Sequence, residues 1–218
     1  HLIVISAFLN GEPIPLVFNV ALHFGTALAV IIYFWKDWLD ICRALVEKIF
    51  KSKASPLASK LLPALIIGSI PAGILGFTAK NSIEALFHHP LSVAVPLFIV
   101  GFILWFVDKQ RPMTNQLTDI SLWEGFLIGL FQACALIPGV SRSGATIIGA
   151  RFMRVNRKDA IRFSMLLGTP PMLAATALHA NELSHAAADP VFLSAVATAL
   201  IVGLLFLHLL VTFFSRYG

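Results

Sequence analysis

Five apolar segments, each long enough to cross a lipid bilayer as a helix, recur along the whole chain. A helix rises about 1.5 Å per residue, so roughly 20 apolar residues span the hydrocarbon core of a membrane. Only 12% of the residues are charged, about half the share that is usual in soluble domains. Residues 1–218 are therefore predicted to form a single membrane domain, with spans at Leu16–Trp35, Leu61–Ala79, Pro90–Val107, Phe163–Ala180 and Pro190–Phe214.

A sixth apolar region, Leu122–Ile137, ends at Pro138-Gly139 and continues into a stretch rich in hydroxyl groups. Apolar residues resume only briefly, at Ile147–Ala150, before a basic cluster. Non-helical backbone at membrane depth is tolerated only where protein or a water-filled cavity covers it. The pattern therefore predicts a re-entrant helical hairpin with a polar tip.

Lysine and arginine are distributed unevenly among the loops, and positive charge concentrates in the cytoplasmic loops of membrane proteins. This rule places three basic loops in the cytoplasm, namely Lys36–Lys53, Asp108–Arg111 and Arg151–Arg162. It places two loops without lysine or arginine outside, namely Asn81–His89 and Asn181–Asp189. Both loops that flank residues 122–150 are then cytoplasmic, so that segment must enter the membrane and return. The charge rule thus supports the hairpin independently of helix length.

Two local patterns refine this topology. In the first basic loop, apolar residues recur at helical spacing, at Trp38, Cys42, Leu45 and Ile49, which predicts an amphipathic helix on the membrane surface. The segment Ser121–Glu124 has the residues of a capping box and predicts a helix start.

Two Gly-Thr pairs indicate an internal repeat, since Gly25-Thr26 and Gly168-Thr169 lie in helices that run in opposite directions by the charge rule. Opposite directions are typical of inverted-topology repeats, whose sites lie at the repeat interface. We therefore predict an all-α polytopic membrane protein, an inverted-topology repeat with re-entrant helical hairpins. The first repeat would cover about residues 1–107 and the second about 121–214. Aligning the two Gly-Thr pairs gives an offset of about 143 residues, which places His1 opposite Gly144 or Ala145 and so just after the tip of the first hairpin.

The stretch from Pro138 to Thr146 is the strongest candidate for a functional site. Arginine at bilayer depth is costly, by roughly 2.5–3.5 kcal/mol on insertion scales, so it marks function by default. The planar guanidinium group of arginine makes two parallel hydrogen bonds to phosphate oxygens and keeps its positive charge. We predict that Arg142 is catalytic and that its neighbours bind a phosphate-bearing substrate through hydroxyls and backbone amides, at Ser141, Ser143, Gly144 and Thr146.

Two other interpretations of this stretch remain open. Arg142 could snorkel to the cytoplasmic interface, and a serine could simply cap a helix. The second interpretation is compatible with a phosphate site, because a helix N-terminus itself binds anions.

Histidine and cysteine add weaker signals. His1 would act as a general acid, a general base or a nucleophile if the repeat brings it to the site, and the alternative is a terminal histidine without a role. His23 is better explained as a packed histidine bonded to a neighbouring helix, and Asn19 shares its face. Cys42 and Cys134 are far apart, and no metal-ligand spacing is present.

At these residues the chain resembles the undecaprenyl-diphosphate phosphatase family, also known as the bacitracin-resistance protein family. The matching pieces are Ala135–Ile147, Phe163-Ser164, Leu167–Met172, Val20–Thr26 and Tyr33–Trp35. The resemblance implies an integral-membrane phosphatase that converts undecaprenyl diphosphate into undecaprenyl phosphate and inorganic phosphate. That reaction would recycle the lipid carrier for peptidoglycan and other cell-wall polymers. A transporter or flippase of phosphate-bearing polyprenyl lipid is the alternative, because broken helices and a midplane anion site are transporter traits.

The resemblance also implies a location, partners and a cofactor. The chain is expected in the bacterial cytoplasmic (inner) membrane, with its active site facing outward. Its expected partners are the polyprenyl diphosphate lipid and the membrane lipids, not nucleic acid, and a homodimer is left open. A divalent cation, Mg or Ca, is implied, but its acidic ligands would precede His1, so no metal ligand is expected here. The chain is thus expected to be a fragment that lacks this first motif and a final helix after Tyr217.

Overall fold

The computed structural model of the chain describes residues 16–49, 56–78, 90–110, 112–178 and 189–217. Within these ranges the chain forms α-helices, one short 3₁₀ turn and a single isolated bridge between Asn115 and Val155, with no strand. The helices are α1 Leu16–Tyr33, α2 Trp35–Ile49, α3 Pro56–Thr78, α4 Pro90–Gln110, α5 Leu122–Cys134, α6 Arg142–Phe152, α7 Arg157–Leu178 and α8 Pro190–Tyr217. The predicted all-α class is confirmed. His1 lies outside the described residues.

Three of the described helices, α3, α4 and α8, are long and apolar enough to cross a membrane. A fourth span results if α1 and α2, which are bent by 80° at Phe34, count as one. The prediction of a multi-pass membrane protein is therefore confirmed. Helix α7 has 22 residues but is less apolar, because it runs through the centre of the bundle and faces protein more than lipid, with Phe163 and Leu166 fully buried.

The bend at Phe34 directs α2, the predicted amphipathic helix, away from the axis of α1. Asp37, Ile41 and Ala44 form its buried side, and Asp37 makes an ion pair with Arg162 of α7. Cys42, from the predicted apolar stripe, is exposed on the other side. The helix extends to the last described residue of this range, and residues 50–53 lie outside the described part.

Helices α1 and α8 pack closely, as do α3 and α5. Small residues permit the second contact, since a side chain at Gly129 would approach the Gly68 carbonyl oxygen to 2.3 Å. Close approach at small residues is the usual basis of helix association in membranes, where apolar burial supplies little driving force. Helices α2, α6 and α7 pack against these two pairs, whereas α4 packs on α6.

Helices α5 and α6 form the predicted hairpin. The capping box is present, with Ser121 Oγ accepting from the Glu124 amide at 3.2 Å and a Glu124 carboxylate oxygen accepting from the Ser121 amide at 2.8 Å. The two helices return on each other, because Gly149 faces Phe131 and Ile128. With 13 and 11 residues, they reach only about 20 and 17 Å, so neither crosses the membrane alone.

The structure differs from the prediction at the hairpin tip. Helix α5 ends at Cys134 rather than Ile137, and α6 begins at Arg142 rather than Ile147, so half of the polar stretch is helical. The part of the first predicted hairpin that follows its tip falls in residues 1–15, outside the described part of the chain. The repeat, with its halves at about residues 1–107 and 121–214, therefore stays a prediction.

Candidate active site

A cavity of about 470 Å³ lies against the tip of the hairpin, between α1, α4, α6, α7 and α8. Its volume is typical of a small-ligand site. Most of its wall is apolar, and its polar lining consists of His23, Thr26, Ser141, Arg142, Ser143 and Ser164. The cavity therefore offers one polar end within apolar walls, which suits an amphiphilic ligand.

Arg142 supplies the positive charge of the cavity, and it is the only charged residue among the described lining residues. It is the first residue of α6, whose first turn contains no acidic residue. A cation at a helix N-terminus opposes the helix dipole, whereas an anion there is stabilised. Arg142 Nη1 donates to the Gly168 carbonyl oxygen at 3.0 Å. This bond fixes the orientation of the guanidinium and leaves its other N–H donors for an anion.

Hydroxyl groups and backbone amides surround this guanidinium. Ser141 is the N-cap of α6, since its Oγ accepts from the Gly144 amide at 3.2 Å. The Ser143 hydroxyl lies 3.4 Å from that of Ser141. The first amides of a helix have no partner within it, so the amides of Arg142 and Ser143 remain for a ligand or water. The helix-cap and phosphate-site interpretations thus apply together.

Gly144 and Thr146 lie behind the cavity wall instead of lining it, and both are buried. The Thr146 hydroxyl lies 2.9 Å from the Arg142 carbonyl oxygen and within hydrogen-bond distance of Ser164 Oγ. Ser164 in turn lies 3.3 Å from the Ser143 carbonyl oxygen. This buried layer ties α7 to the hairpin tip and holds the backbone of Ser141, Arg142 and Ser143 in place.

Gly139 sets the position of the tip against α4. Its φ of +92° belongs to the left-handed region that favours glycine. A Cβ at this position would lie 2.1 Å from the Val93 carbonyl oxygen, so the turn packs directly against the backbone of α4.

Replacement of Gly139 by alanine should therefore destabilise the fold by about 2 kcal/mol or more, from left-handed strain and overpacking together. Unfolding of the purified protein in detergent, followed by circular dichroism, measures this change. Gly76→Ala is the matched control, because a Cβ there would meet its nearest neighbour at an ordinary 3.7 Å. Equal stability of the two variants would contradict the proposed role of Gly139.

Sequence reasoning missed part of the site. His23, expected to bond to a neighbouring helix, instead lines the cavity and makes no hydrogen bond to another described residue. Ser164 and Gly168 were not singled out as site residues, although Gly168 holds Arg142. The available signal was the Gly-Thr repeat, because both Gly-Thr segments contribute to the cavity wall, through Thr26 and Gly168.

The described residues do not fit a divalent cation. No group of three or more histidine, cysteine, aspartate or glutamate residues lies together in the ranges the structure describes. Carboxylate oxygens are the ligands that Mg²⁺ and Ca²⁺ prefer, and the described cavity lining has none. Its guanidinium and hydroxyl groups suit an oxyanion.

Comparison with known proteins agrees with this chemistry. The sequence profile of the bacitracin resistance protein BacA matches residues 1–218. A protein named undecaprenyl-diphosphatase from Thermomicrobium roseum is 38% identical, across 100% of this chain and 83% of its own length. One of the same name from Moorella thermoacetica is 35% identical, across 99% of this chain and 81% of its own. With a match over its whole length, the chain belongs to the bacitracin resistance protein BacA family.

Proposed function

We propose that the chain is an integral-membrane phosphatase that hydrolyses undecaprenyl diphosphate to undecaprenyl phosphate and inorganic phosphate. Such a reaction recycles the lipid carrier of cell-wall synthesis. The observation that carries this proposal is the placement of Arg142 at the N-terminus of α6, in a cavity whose walls are mostly apolar. A diphosphate with a long isoprenoid tail needs this combination, and the relatives named above carry the name of this enzyme.

The chemistry follows from the charges that develop during hydrolysis. A nucleophilic oxygen or nitrogen attacks the terminal phosphorus, and the bond from that phosphorus to the bridging oxygen breaks. The electron pair leaves with undecaprenyl phosphate, and water supplies the oxygen of the released inorganic phosphate. Negative charge is spread over the phosphoryl oxygens in the transition state. In the proposed mechanism this charge is neutralised by the Arg142 guanidinium, the amides at the start of α6 and the hydroxyls of Ser141 and Ser143. Such preorganised donors are commonly the largest catalytic contribution.

The proposal has two candidates for the group that attacks phosphorus or activates water. His1, or a serine before it, either attacks phosphorus or activates water, and His1 lies outside the described residues. A divalent cation, Mg or Ca, is also proposed, on the family resemblance alone. It would neutralise diphosphate charge, and we assign it no step because the described residues do not fit it.

We further propose that the protein lies in the bacterial cytoplasmic membrane with the cavity facing outward. Val93 and Leu97, which line the cavity from α4, lie near the end of that helix that follows a loop without lysine or arginine. The opposite end of α4 leads into a basic loop, which the positive-inside rule assigns to the cytoplasm. Membrane lipids would surround the bundle, and the protein would act as a monomer or as a homodimer.

The test is phosphate release from undecaprenyl diphosphate by the purified full-length protein in detergent, with and without a chelator. We expect release in detergent, with loss on chelation and recovery on adding Mg²⁺ or Ca²⁺. The competing function, a flippase of phosphate-bearing lipid, is tested in proteoliposomes with labelled substrate. Lipid movement without phosphate release, by protein that binds the substrate, would overturn the phosphatase.

A further inference from the structure

A second cavity, of about 340 Å³, is lined by four of the helices that line the first one, and the two cavities together are called the crevice. On α4, Leu97 lines the first cavity and Gly101, one turn later, lines the second. On α8, Leu207 lines the first and Leu210 the second. The other two helices show the same shift of one turn. On α6, Ser143 lines the first cavity and Ile147 the second, and on α7, Met165 lines the first and Ile161 the second. Four helices thus continue from one cavity into the next.

The two sides of this crevice are helices whose side chains are mostly exposed. Only 11% of the apolar span in α4 and 6% of that in α8 is buried. Helix α4 packs mainly on α6, whereas α8 packs mainly on α1, so the space between α4 and α8 opens toward lipid. From Val93 to Asp108, which line opposite ends of the crevice, α4 rises about 22 Å, most of the hydrocarbon thickness of a bilayer.

The chemistry of the crevice changes along its length. Its outer part holds the anion site around Arg142. Its inner part is mainly apolar, with Trp105, Ile161 and Phe214 among the lining residues, and its charged lining residues form an ion-pair cluster of Asp108, Arg151 and Arg157. It ends at Asp108, whose carboxylate binds Arg151 and Arg157 at 3.0 and 2.9 Å. A ligand that fills both cavities must therefore carry an anionic head and a long apolar chain.

We propose that this crevice is the binding groove for the isoprenoid tail of the substrate, which runs inward from the diphosphate along α4 and α8. The inference rests on the proposed function and deepens it, since it places the tail on the protein instead of in bulk lipid. Lipid chains compete for the same apolar space, and the hydrophobic effect gives the tail no advantage over them. The tail gains its advantage from its covalent link to the bound head, which raises its effective concentration at the groove.

Gly101 allows a selective test, because a Cβ at this position would have no atom within 4 Å. A phenylalanine there fits without displacing the backbone and fills the inner cavity. In Gly101→Phe we expect KM for undecaprenyl diphosphate to rise about tenfold or more, because the tail no longer occupies the groove and the gain from its link to the bound head is lost. KM for the short-chain geranyl diphosphate should change less than about twofold, since a tail of two isoprene units is too short to fill the inner cavity and gains little from the groove.

The matched control is Gly73→Phe on α3, where a Cβ likewise has no atom within 4 Å and which lines neither cavity. This variant should leave both substrates unaffected. Equal changes for the long and the short substrate in Gly101→Phe, or no change for the long one, would overturn the groove. Absence of phosphate release from either substrate by the unaltered enzyme would instead overturn the proposed function.

A second measurement does not depend on the folding of any variant. Undecaprenyl diphosphate with a photoreactive group in the middle of its tail should crosslink, in the unaltered protein, to the α4 and α8 residues of the inner cavity, namely Leu104 and Leu210. An excess of inorganic diphosphate should abolish this labelling, because the head would no longer hold the tail. Labelling of the outer surface of α3 to the same extent would refute the groove and place the tail in bulk lipid.

Discussion

Replacement of Arg142 by lysine is expected to lower kcat/KM for undecaprenyl diphosphate by about a hundredfold or more, the usual effect of removing a preorganised donor from a charged transition state. Lysine retains the charge but presents a single ammonium, which cannot make the paired hydrogen bonds of a guanidinium. It also cannot reproduce the 3.0 Å bond from Nη1 to the Gly168 carbonyl oxygen while a second donor faces phosphate. Phosphate release by purified protein, measured over a range of substrate concentrations, gives the change.

The matched control is Arg154→Lys, the same substitution at an exposed arginine in the turn after α6. It should change kcat/KM by less than about twofold, because surface substitutions away from a site have small effects. A second variant, Arg142→Ala, should lose activity further and regain part of it when millimolar guanidinium is added. Full activity of Arg142→Lys in folded protein would remove Arg142 from the proposed mechanism.

The hairpin could be predicted from sequence because two independent constraints agree on it. The charge rule requires that residues 122–150 enter and leave on one side, and Pro138-Gly139 interrupts the apolar pattern in the middle. The boundary of α6 could not be predicted in the same way, since apolar residues resume only at Ile147. The helix starts five residues earlier because Ser141 caps it, and capping depends on a single side chain rather than on periodicity.

The charged residue of the site, Arg142, could likewise be predicted, but the residues that hold it in position could not. Arginine inside a membrane segment is conspicuous because of its insertion cost. Gly168 holds Arg142 through a backbone carbonyl, 26 residues away, and no side-chain pattern in a sequence reveals which carbonyl will be used. Ser164 is a comparable case, since it reaches the hairpin only because α7 packs against α6. Contacts between helices that are distant in sequence depend on packing that local patterns do not encode.

The largest effect on stability is expected from Asp108→Ala, at the inner end of the crevice. The Asp108 carboxylate binds Arg151 Nε at 3.0 Å and Arg157 Nη2 at 2.9 Å, and the Arg151 side chain has 0% exposure. Removing one partner of a buried ion pair leaves a charge in the interior, which destabilises by about 3 kcal/mol. Chemical denaturation in detergent should show this loss, and Asp40→Ala, which breaks an exposed 3.7 Å pair with Arg43, should show almost none.

A double variant separates the buried charge from other effects of the substitution. In Asp108→Ala/Arg151→Met the uncompensated guanidinium is replaced by an apolar side chain, so part of the lost stability should return even though another native side chain has been removed.

Asp108 also joins α4 to α6 and α7, and α4 otherwise has few buried contacts. Its loss should therefore loosen α4 along the proposed groove and weaken binding of the long-chain substrate more than that of the short one. Arg151 also donates to the backbone carbonyl oxygens of Val155 at 2.6 Å and Asp108 at 3.2 Å. If the double variant is less stable than Asp108→Ala, these two bonds stabilise the fold by more than burial of the unpaired charge destabilises it.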